Sequence, residues 1–205
     1  MIKKVFISTN KEIGLKCKKW AENNLLMDYI ITDDINDCDI FISVLYDKIL
    51  SKDFINNKKC YNFHPAILPN YAGVGTITWS ILNNDKQHGV TLHLIDEGID
   101  TGDLIDVVKF EIEESDTAYS LYDKTMKNLF SFFKSKFSNI LEENYKTKKQ
   151  DFSLRKVYSY KDLDNIFDLT KYMKSTYFPG KSNPYYYNVS GDKIELKYGG
   201  NIDES

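Results

Sequence analysis

The run Asp39-Ile40-Phe41-Ile42-Ser43-Val44-Leu45 leaves this chain few architectures to choose from. Its apolar residues are nearly continuous, so a strand built from it is buried on both faces, the pattern of a parallel sheet covered by helices. The neighbouring segments fit such a sheet. Lys4-Val5-Phe6-Ile7-Ser8 is a short β-branched run. Ile13, Leu15, Cys17, Trp20 and Ala21 follow at mixed helical spacing, with Thr9 or Asn10 able to cap and Asn23-Asn24 ending the segment, so a βα unit opens the chain. Tyr29-Ile30-Ile31-Thr32 reads as a further strand, Leu50 to Ile55 as a short helix, and Cys60-Tyr61-Asn62-Phe63-His64 as a strand with a polar end.

Thr76 to Leu82 predicts another helix, in which Trp79 serves either as core or as a stacking platform. Gly89 to Ile95 alternates, with Val90, Leu92 and Leu94 on one face and Thr91, His93 and Ile95 on the other, and Leu104 to Phe110 is a last sheet strand. Asp116 or Thr117 opens the clearest helix, whose apolar residues from Ala118 to Leu141 recur three or four apart over about seven turns. A short helix is expected from Leu163 to Met173, and alternating runs from Asn183 to Tyr198 around Ser190-Gly191-Asp192 predict a β-hairpin. The expected fold class is α/β: a reduced Rossmann-like, mostly parallel sheet covered by helices, with a small C-terminal β-hairpin appendage. Residues 1–150 form the main domain and 151–205 a helix-and-hairpin extension. No GxGxxG follows the first strand, so a dinucleotide site is not supported.

Composition narrows the function classes. The 205 residues are 42% hydrophobic, enough for one sizeable core. No run approaches the roughly 18 to 20 apolar residues of a membrane span, and Met1 to Ser8 is too short an apolar start for a signal peptide, so a cytoplasmic protein without membrane insertion is expected. Asn188-Val189-Ser190 is then a glycosylation sequon in form only. Cys17, Cys38 and Cys60 share no ligand spacing, so neither disulfides nor a metal site is expected. A net charge of -3 with a pI near 5.7 and scattered lysines argues against nucleic acid as a partner. Arg155 is the single arginine, open to reading as a bidentate phosphate or carboxylate contact or as a surface residue.

Two loops carry the chemistry. Asn62 and His64 are two apart, so an extended strand points both to one face, and the stretch to Gly73 spends two prolines and a glycine on a stiff turn. Asn offers a neutral donor and His a proton carrier tunable near neutrality. The second stretch, His88 to Ile105, ends a strand in an acidic, glycine-punctuated loop whose carboxylates can reach that imidazole. Such a set suits acyl transfer to an attacking amine, and the nucleophile need not belong to the protein. The other reading is a structural histidine before a proline turn.

Asn62-Phe63-His64-Pro65-Ala66-Ile67-Leu68-Pro69 resembles the first signature of the N10-formyltetrahydrofolate-dependent formyltransferases. His88-Gly89-Val90-Thr91-Leu92-His93 with Gly98-Ile99-Asp100-Thr101-Gly102-Asp103 resembles their second, at a matching separation. The resemblance implies catalytic roles for Asn62, His64 and Asp100, with His93 as a supporting member. It implies a folate pocket made by main-chain groups of Lys48, Ile49 and Leu50 and of Ile95, Asp96 and Glu97, with N10-formyltetrahydrofolate as cosubstrate and no metal.

The tail, Phe178-Pro179-Gly180-Lys181 with Asn183-Pro184-Tyr185, resembles the sugar N-formyltransferases. That implies a nucleotide-linked amino sugar as partner, with dTDP-4-amino-4,6-dideoxyglucose for O-antigen or other surface polysaccharide as the expected acceptor. Tyr177, Phe178, Tyr185, Tyr186 and Tyr187 are then stacking surfaces and Arg155, Lys156 and Lys161 diphosphate partners. The same tyrosines equally suit packing on the helix or a homodimer through the hairpin. A methionyl-tRNA formyltransferase would be expected to add a basic C-terminal domain, and a glycinamide ribonucleotide formyltransferase a glycine-rich loop where Ser8 to Gly14 stands. Both remain alternatives, with a catalytically silent folate-binding module as a third.

Overall fold

The computed structural model describes residues 2–160, 163, 168–181, 183–187 and 193–196. Six strands form the main sheet: β1 (Lys3–Ile7), β2 (Tyr29–Ile31), β3 (Ile40–Val44), β4 (Lys59–His64), β6 (Gln87–Leu94) and β7 (Leu104–Glu111), in the spatial order β2-β1-β3-β4-β6-β7. β1 to β4 pair in parallel. β6 pairs antiparallel with both β4 and β7, so within this sheet it runs against the others. The mostly parallel sheet expected from the apolar runs is thus present, with β6 as the strand that breaks its direction. The reason is the connection: α3 (Thr76–Leu82) has seven residues, about 10 Å of helix, and does not carry the chain back across the sheet as a parallel crossover must.

Every residue of β3 is buried, as its continuous apolar run requires. Ile40, Ile42, Val44, Tyr61, Phe63, Val90 and Leu92 form one core face with Leu129, Phe133 and Phe137 of α4 (Ala118–Leu141) and Ile13 and Cys17 of α1 (Glu12–Glu22). Trp20 meets the rings of Phe133 and Phe137 edge-on, at 6.1 and 5.7 Å. Each fully buried Phe of this kind contributes roughly 1.5–3 kcal/mol. The opposite face carries Phe41 and Cys60 under Phe54 of α2 (Lys52–Asn57), and towards the C-terminal ends of β3 and β4 it turns polar. The site lies there.

Helix ends follow local chemistry. Thr117 caps α4 in a reciprocal box with Ser120, whose hydroxyl accepts the Thr117 N–H at 3.0 Å. Ser51 accepts the Phe54 N–H at 3.2 Å, so α2 begins one residue after it and not at Leu50. α1 starts after Lys11 without a side-chain cap, because Asn10 instead donates to Asp47 at 2.7 Å. The late helix is α5 (Leu169–Thr176), set by Asp168 accepting from the Lys171 N–H at 3.0 Å; of the expected 163–173, residues 164–167 lie outside the described residues.

β5 (Ala72–Gly73) pairs in parallel with β8 (Val157–Tyr158), just beyond the 3-10 turn Phe152–Leu154. Thr78 donates to the Ser175 carbonyl at 2.9 Å, which ties α3 to α5. The hairpin is present as β9 (Tyr185–Tyr187) against β10 (Lys193–Glu195). Its turn and the sequon at 188–190 lie outside the described residues, as does Lys161, and Tyr186 is described through its backbone alone. Cys17, Cys38 and Cys60 are free and buried. No helix among the described residues is long and apolar enough to cross a membrane.

Candidate active site

Strand alternation puts Asn62 and His64 on the polar face and turns Tyr61 and Phe63 into the core. The strands on either side supply their neighbours. In the ladder Asn62 stands opposite Ser43 of β3 and His93 of β6. Ser43 Oγ donates to Asn62 Oδ1 at 2.6 Å, and Asn62 Nδ2 lies 3.1 Å from His93 Nε2 and 3.4 Å from Asp100 Oδ1.

Proton positions follow from what can only accept. His93 Nδ1 lies 2.7 Å from the Leu94 carbonyl, so Nδ1 carries the hydrogen and Nε2 accepts from Asn62. Burial first, and then the nearby His64, bring the pKa of His93 down to about 4, with Asp100 opposing this only in part. A neutral His93 thus fixes the amide. His64 Nε2 lies 2.6 Å from the Tyr71 carbonyl and must donate to it. That leaves His64 Nδ1, 3.5 Å from Asp100 Oδ1, as the nitrogen able to gain or lose a proton. The spacing is longer than a good hydrogen bond.

Asp100 arrives from the loop between β6 and β7. Its Oδ2 accepts the Gly73 N–H at 2.8 Å, and Oδ1 faces Asn62, His64 and His93. The β6–β7 register shifts between Leu92 and His93, so that Leu92 faces Asp106 while His93 faces Leu104. Gly102 stands where a Cβ would come 1.7 Å from the Leu94 carbonyl oxygen, so no larger residue fits this turn.

Together these side chains line a cavity of about 760 Å³, within the range of small-molecule sites. Lys48, Ile49, Leu50, Ile95, Asp96 and Glu97 all line it, beside the apolar Phe41, Leu45 and Ile55. The Ile95 N–H is already engaged by the Cys60 carbonyl at 2.8 Å. That segment therefore offers a ligand its carbonyls and the N–H groups of Asp96 and Glu97. Apolar walls with main-chain donors and acceptors fit a flat heteroaromatic ring such as a pterin. A second group of lining residues comes from α3, α4 and the tail: Ile77, Thr78, Tyr122, Met126, Tyr160 and Phe178. Among the described residues, no group of His, Cys, Asp or Glu side chains could hold a metal ion.

The expected nucleotide set is only partly assembled. Phe178 lines the cavity, whereas Arg155 and Tyr177 do not. Arg155 Nη2 instead donates to the Ile99 carbonyl at 2.7 Å, because the segment after β7 folds back onto the Asp100 loop. Lys156 borders a separate polar cavity of about 350 Å³ with Asn70, Tyr71, Asn83, Asp85 and Tyr158. Sequence reasoning passed over Ser43, although it is the one polar residue in an apolar strand. It also passed over Gln150, whose contacts have no local signature.

His88 is a third buried imidazole, 2.9 Å from Ser80 Oγ, and burial lowers its pKa to about 4, as in His93. Both histidines are neutral in the fold and titrate near 6.5 when unfolded. Their contribution to stability is complete above pH 6.5 and is lost as pH falls towards about 4, because the unfolded chain then binds protons that the folded one refuses. Urea midpoints should decline from about pH 7 to about pH 5, with a slope of up to about 1.4 kcal/mol per pH unit for each imidazole. A level midpoint over that range would mean that the histidines are charged in the folded protein.

The profile of the formyl transferase family matches residues 7–133. The chain is 33% identical over 159 residues to the methionyl-tRNA formyltransferase of Clostridium tetani, covering 72% of this chain and 50% of that protein. It spans about half the length of the curated relatives it matches. In structure it is similar to a 4-N formyltransferase from Francisella tularensis, with a TM-score of 0.83, 22% identity and coverage of 96% and 97% of the two chains. It is also similar to an N-formyltransferase from Helicobacter canadensis solved with folinic acid and dTDP-3-aminofucose, with a TM-score of 0.72, 25% identity and coverage of 87% and 81%. The family profile takes in more than half of the chain, including both signature loops and the strands that present Asn62, His64 and Asp100, and the chain belongs to the formyl transferase family.

Proposed function

We propose that this protein transfers the formyl group of N10-formyltetrahydrofolate to the amine of a nucleotide-linked amino sugar. The observation that carries the reading is the convergence of Asn62 and His64 on one oxygen of Asp100, at 3.4 and 3.5 Å, on the wall of the 760 Å³ cavity. The cosubstrate supplies the activated formyl carbon when bound. The residues of the chain do the rest. Asn62 Nδ2, its oxygen held by Ser43, donates to the negative charge that develops on the formyl oxygen. His64, protonated at Nδ1, is the second donor there and gives that proton to the leaving N10 nitrogen as its bond to the formyl carbon breaks. Asp100 Oδ1 accepts the proton released by the attacking amine, while its Oδ2 stays on the Gly73 N–H. Lys48 to Leu50 and Ile95 to Glu97 hold the pterin through their main chain, and Phe178 with Tyr160 borders the acceptor.

Two observations favour a sugar acceptor. The overlap with the Francisella tularensis 4-N formyltransferase is nearly complete for both chains, and the relative with an aminofucose nucleotide keeps 25% identity over 87% of this chain. A second reading, methionyl-tRNA as acceptor, is favoured by the 33% identity to the Clostridium tetani enzyme. Direct competition separates the two. Incubation with N10-formyltetrahydrofolate and equal amounts of dTDP-3-amino and dTDP-4-amino sugars and methionyl-tRNA should yield sugar formamide by mass spectrometry, led by a 4-amino-4,6-dideoxyhexose. Formylated tRNA with unmodified sugar would replace the first reading by the second.

A further inference from the structure

Asp100 is set in a backbone conformation that a residue with a Cβ disfavours, with φ at 52°. The turn that holds it presents three carbonyl groups to a segment some fifty residues later. Arg155 Nη2 donates to Ile99 O at 2.7 Å, and Gln150 Nε2 donates to Asp100 O at 2.9 Å and to Gly102 O at 2.7 Å. Carbonyls only accept, so the orientation of the Gln150 amide is settled and both of its N–H groups are engaged. Gln150 is 9% exposed, and its Oε1 has no donor among the described residues. A buried amide that leaves its own oxygen unpaired in order to satisfy two loop carbonyls is a poor choice for stability alone. For holding a strained turn in one place it is well suited.

The rest of the clamp is firm. Leu104 and Lys148 exchange backbone hydrogen bonds of 2.9 and 2.8 Å, and Lys149 pairs with Asp103 at 3.0 Å. On the other side the turn abuts the Leu94 carbonyl, where Gly102 leaves no space for a side chain. The result is a carboxylate held through Oδ2 on the Gly73 N–H at 2.8 Å, with Oδ1 turned to the site, 3.4 Å from Asn62 Nδ2 and 3.5 Å from His64 Nδ1. We infer that Gln150 and Arg155 are positioning residues which hold Asp100 in reach of His64 and the reacting amine, an inference that rests on the formyl-transfer reading for its catalytic meaning.

The Gly73 amide reports the position of Asp100 without any reaction. In folded Gln150→Leu and Arg155→Ala, amide exchange at Gly73 should speed up about tenfold or more, the effect of losing one hydrogen bond to a charged group. Ala72 and Val74, whose N–H groups bond to Lys156 O and Tyr158 O, should keep their rates. That contrast separates displacement of Asp100 from fraying of β5 against β8. In steady-state assays kcat should fall about 10- to 100-fold with the KM for N10-formyltetrahydrofolate unchanged, as expected for a misplaced catalytic group. Arg155→Lys should recover part of the loss. If Gln150→Leu does not fold, Arg155→Ala, on the more exposed partner, carries both measurements. Wild-type exchange at Gly73 in the folded variants would overturn the inference. Were the wild type to formylate no amine at all, the formyl-transfer reading would fall, and Gly73 exchange would still decide whether the clamp holds Asp100.

Discussion

Replacing His64 by asparagine should lower formyl transfer by about 10²- to 10⁴-fold, the usual size of a general acid–base contribution. The substitution is chosen to separate two roles of the imidazole. An asparagine amide can still donate a hydrogen bond from this position, but it can neither take up nor release a proton near neutral pH. His64 Nε2 is committed to the Tyr71 carbonyl, so the exchange of a proton falls to Nδ1, beside Asp100. The segments proposed to hold the pterin, Lys48 to Leu50 and Ile95 to Glu97, do not include His64. Affinity for 5-formyltetrahydrofolate, read by fluorescence titration, should therefore stay within a factor of about three, the pattern of an interaction made chiefly in the transition state. Turnover at the wild-type level in a well-folded His64→Asn protein would remove His64 from the chemistry. A loss of folate affinity as large as the loss of turnover would make it a binding residue instead.

The largest effect on stability is expected from the residue between the two catalytic candidates. Phe63 is fully buried, and its ring meets Phe132 and Phe133 of α4 at centroid distances of 5.8 and 5.3 Å. Phe63→Ala removes a ring from the centre of the layer between the sheet and α4. Residues on all sides are themselves held in regular structure and cannot collapse into the gap. The change should cost about 3–5 kcal/mol, from lost transfer free energy plus the cavity left behind. Against a typical total of about 5–15 kcal/mol, a chain so altered is close to its limit. Urea unfolding at neutral pH measures it, and a shift below about 1 kcal/mol would mean that the site can close up, contrary to the packing seen here. Asn62 and His64 would lose their placement with it, since strand alternation binds their direction to that of Phe63.

The pairing of chemistry with core along β4 was open to reading in the chain. Period-two alternation alone sends Asn62 and His64 one way and Tyr61 and Phe63 the other, and the apolar stripe from Ala118 to Leu141 announces the helix that receives the second pair. The full burial of β3 was equally plain from its composition. Proposing Asp100 needed the resemblance of the second loop, since four other carboxylates lie between His88 and Glu111. The direction of β6 was beyond pattern reading. Its alternation is the same for a strand running either way, and only the short path through α3 selects antiparallel pairing.

Arg155 shows the same boundary from the other side. As the single arginine in a lysine-rich chain it invited assignment to a phosphate, and in the fold it holds the Ile99 carbonyl from 56 positions away. Gln150 had no distinguishing context at all, yet it satisfies two carbonyls of the loop that carries Asp100. Local order answers to neighbours a few residues off, through hydrophobic period, capping and alternation, and these are written in the chain. Which donor meets a turn carbonyl fifty residues away is settled only when the layers pack. For that reason the identities of Asn62 and His64 could be read directly, while the means by which Asp100 is brought to them belongs to the tertiary structure.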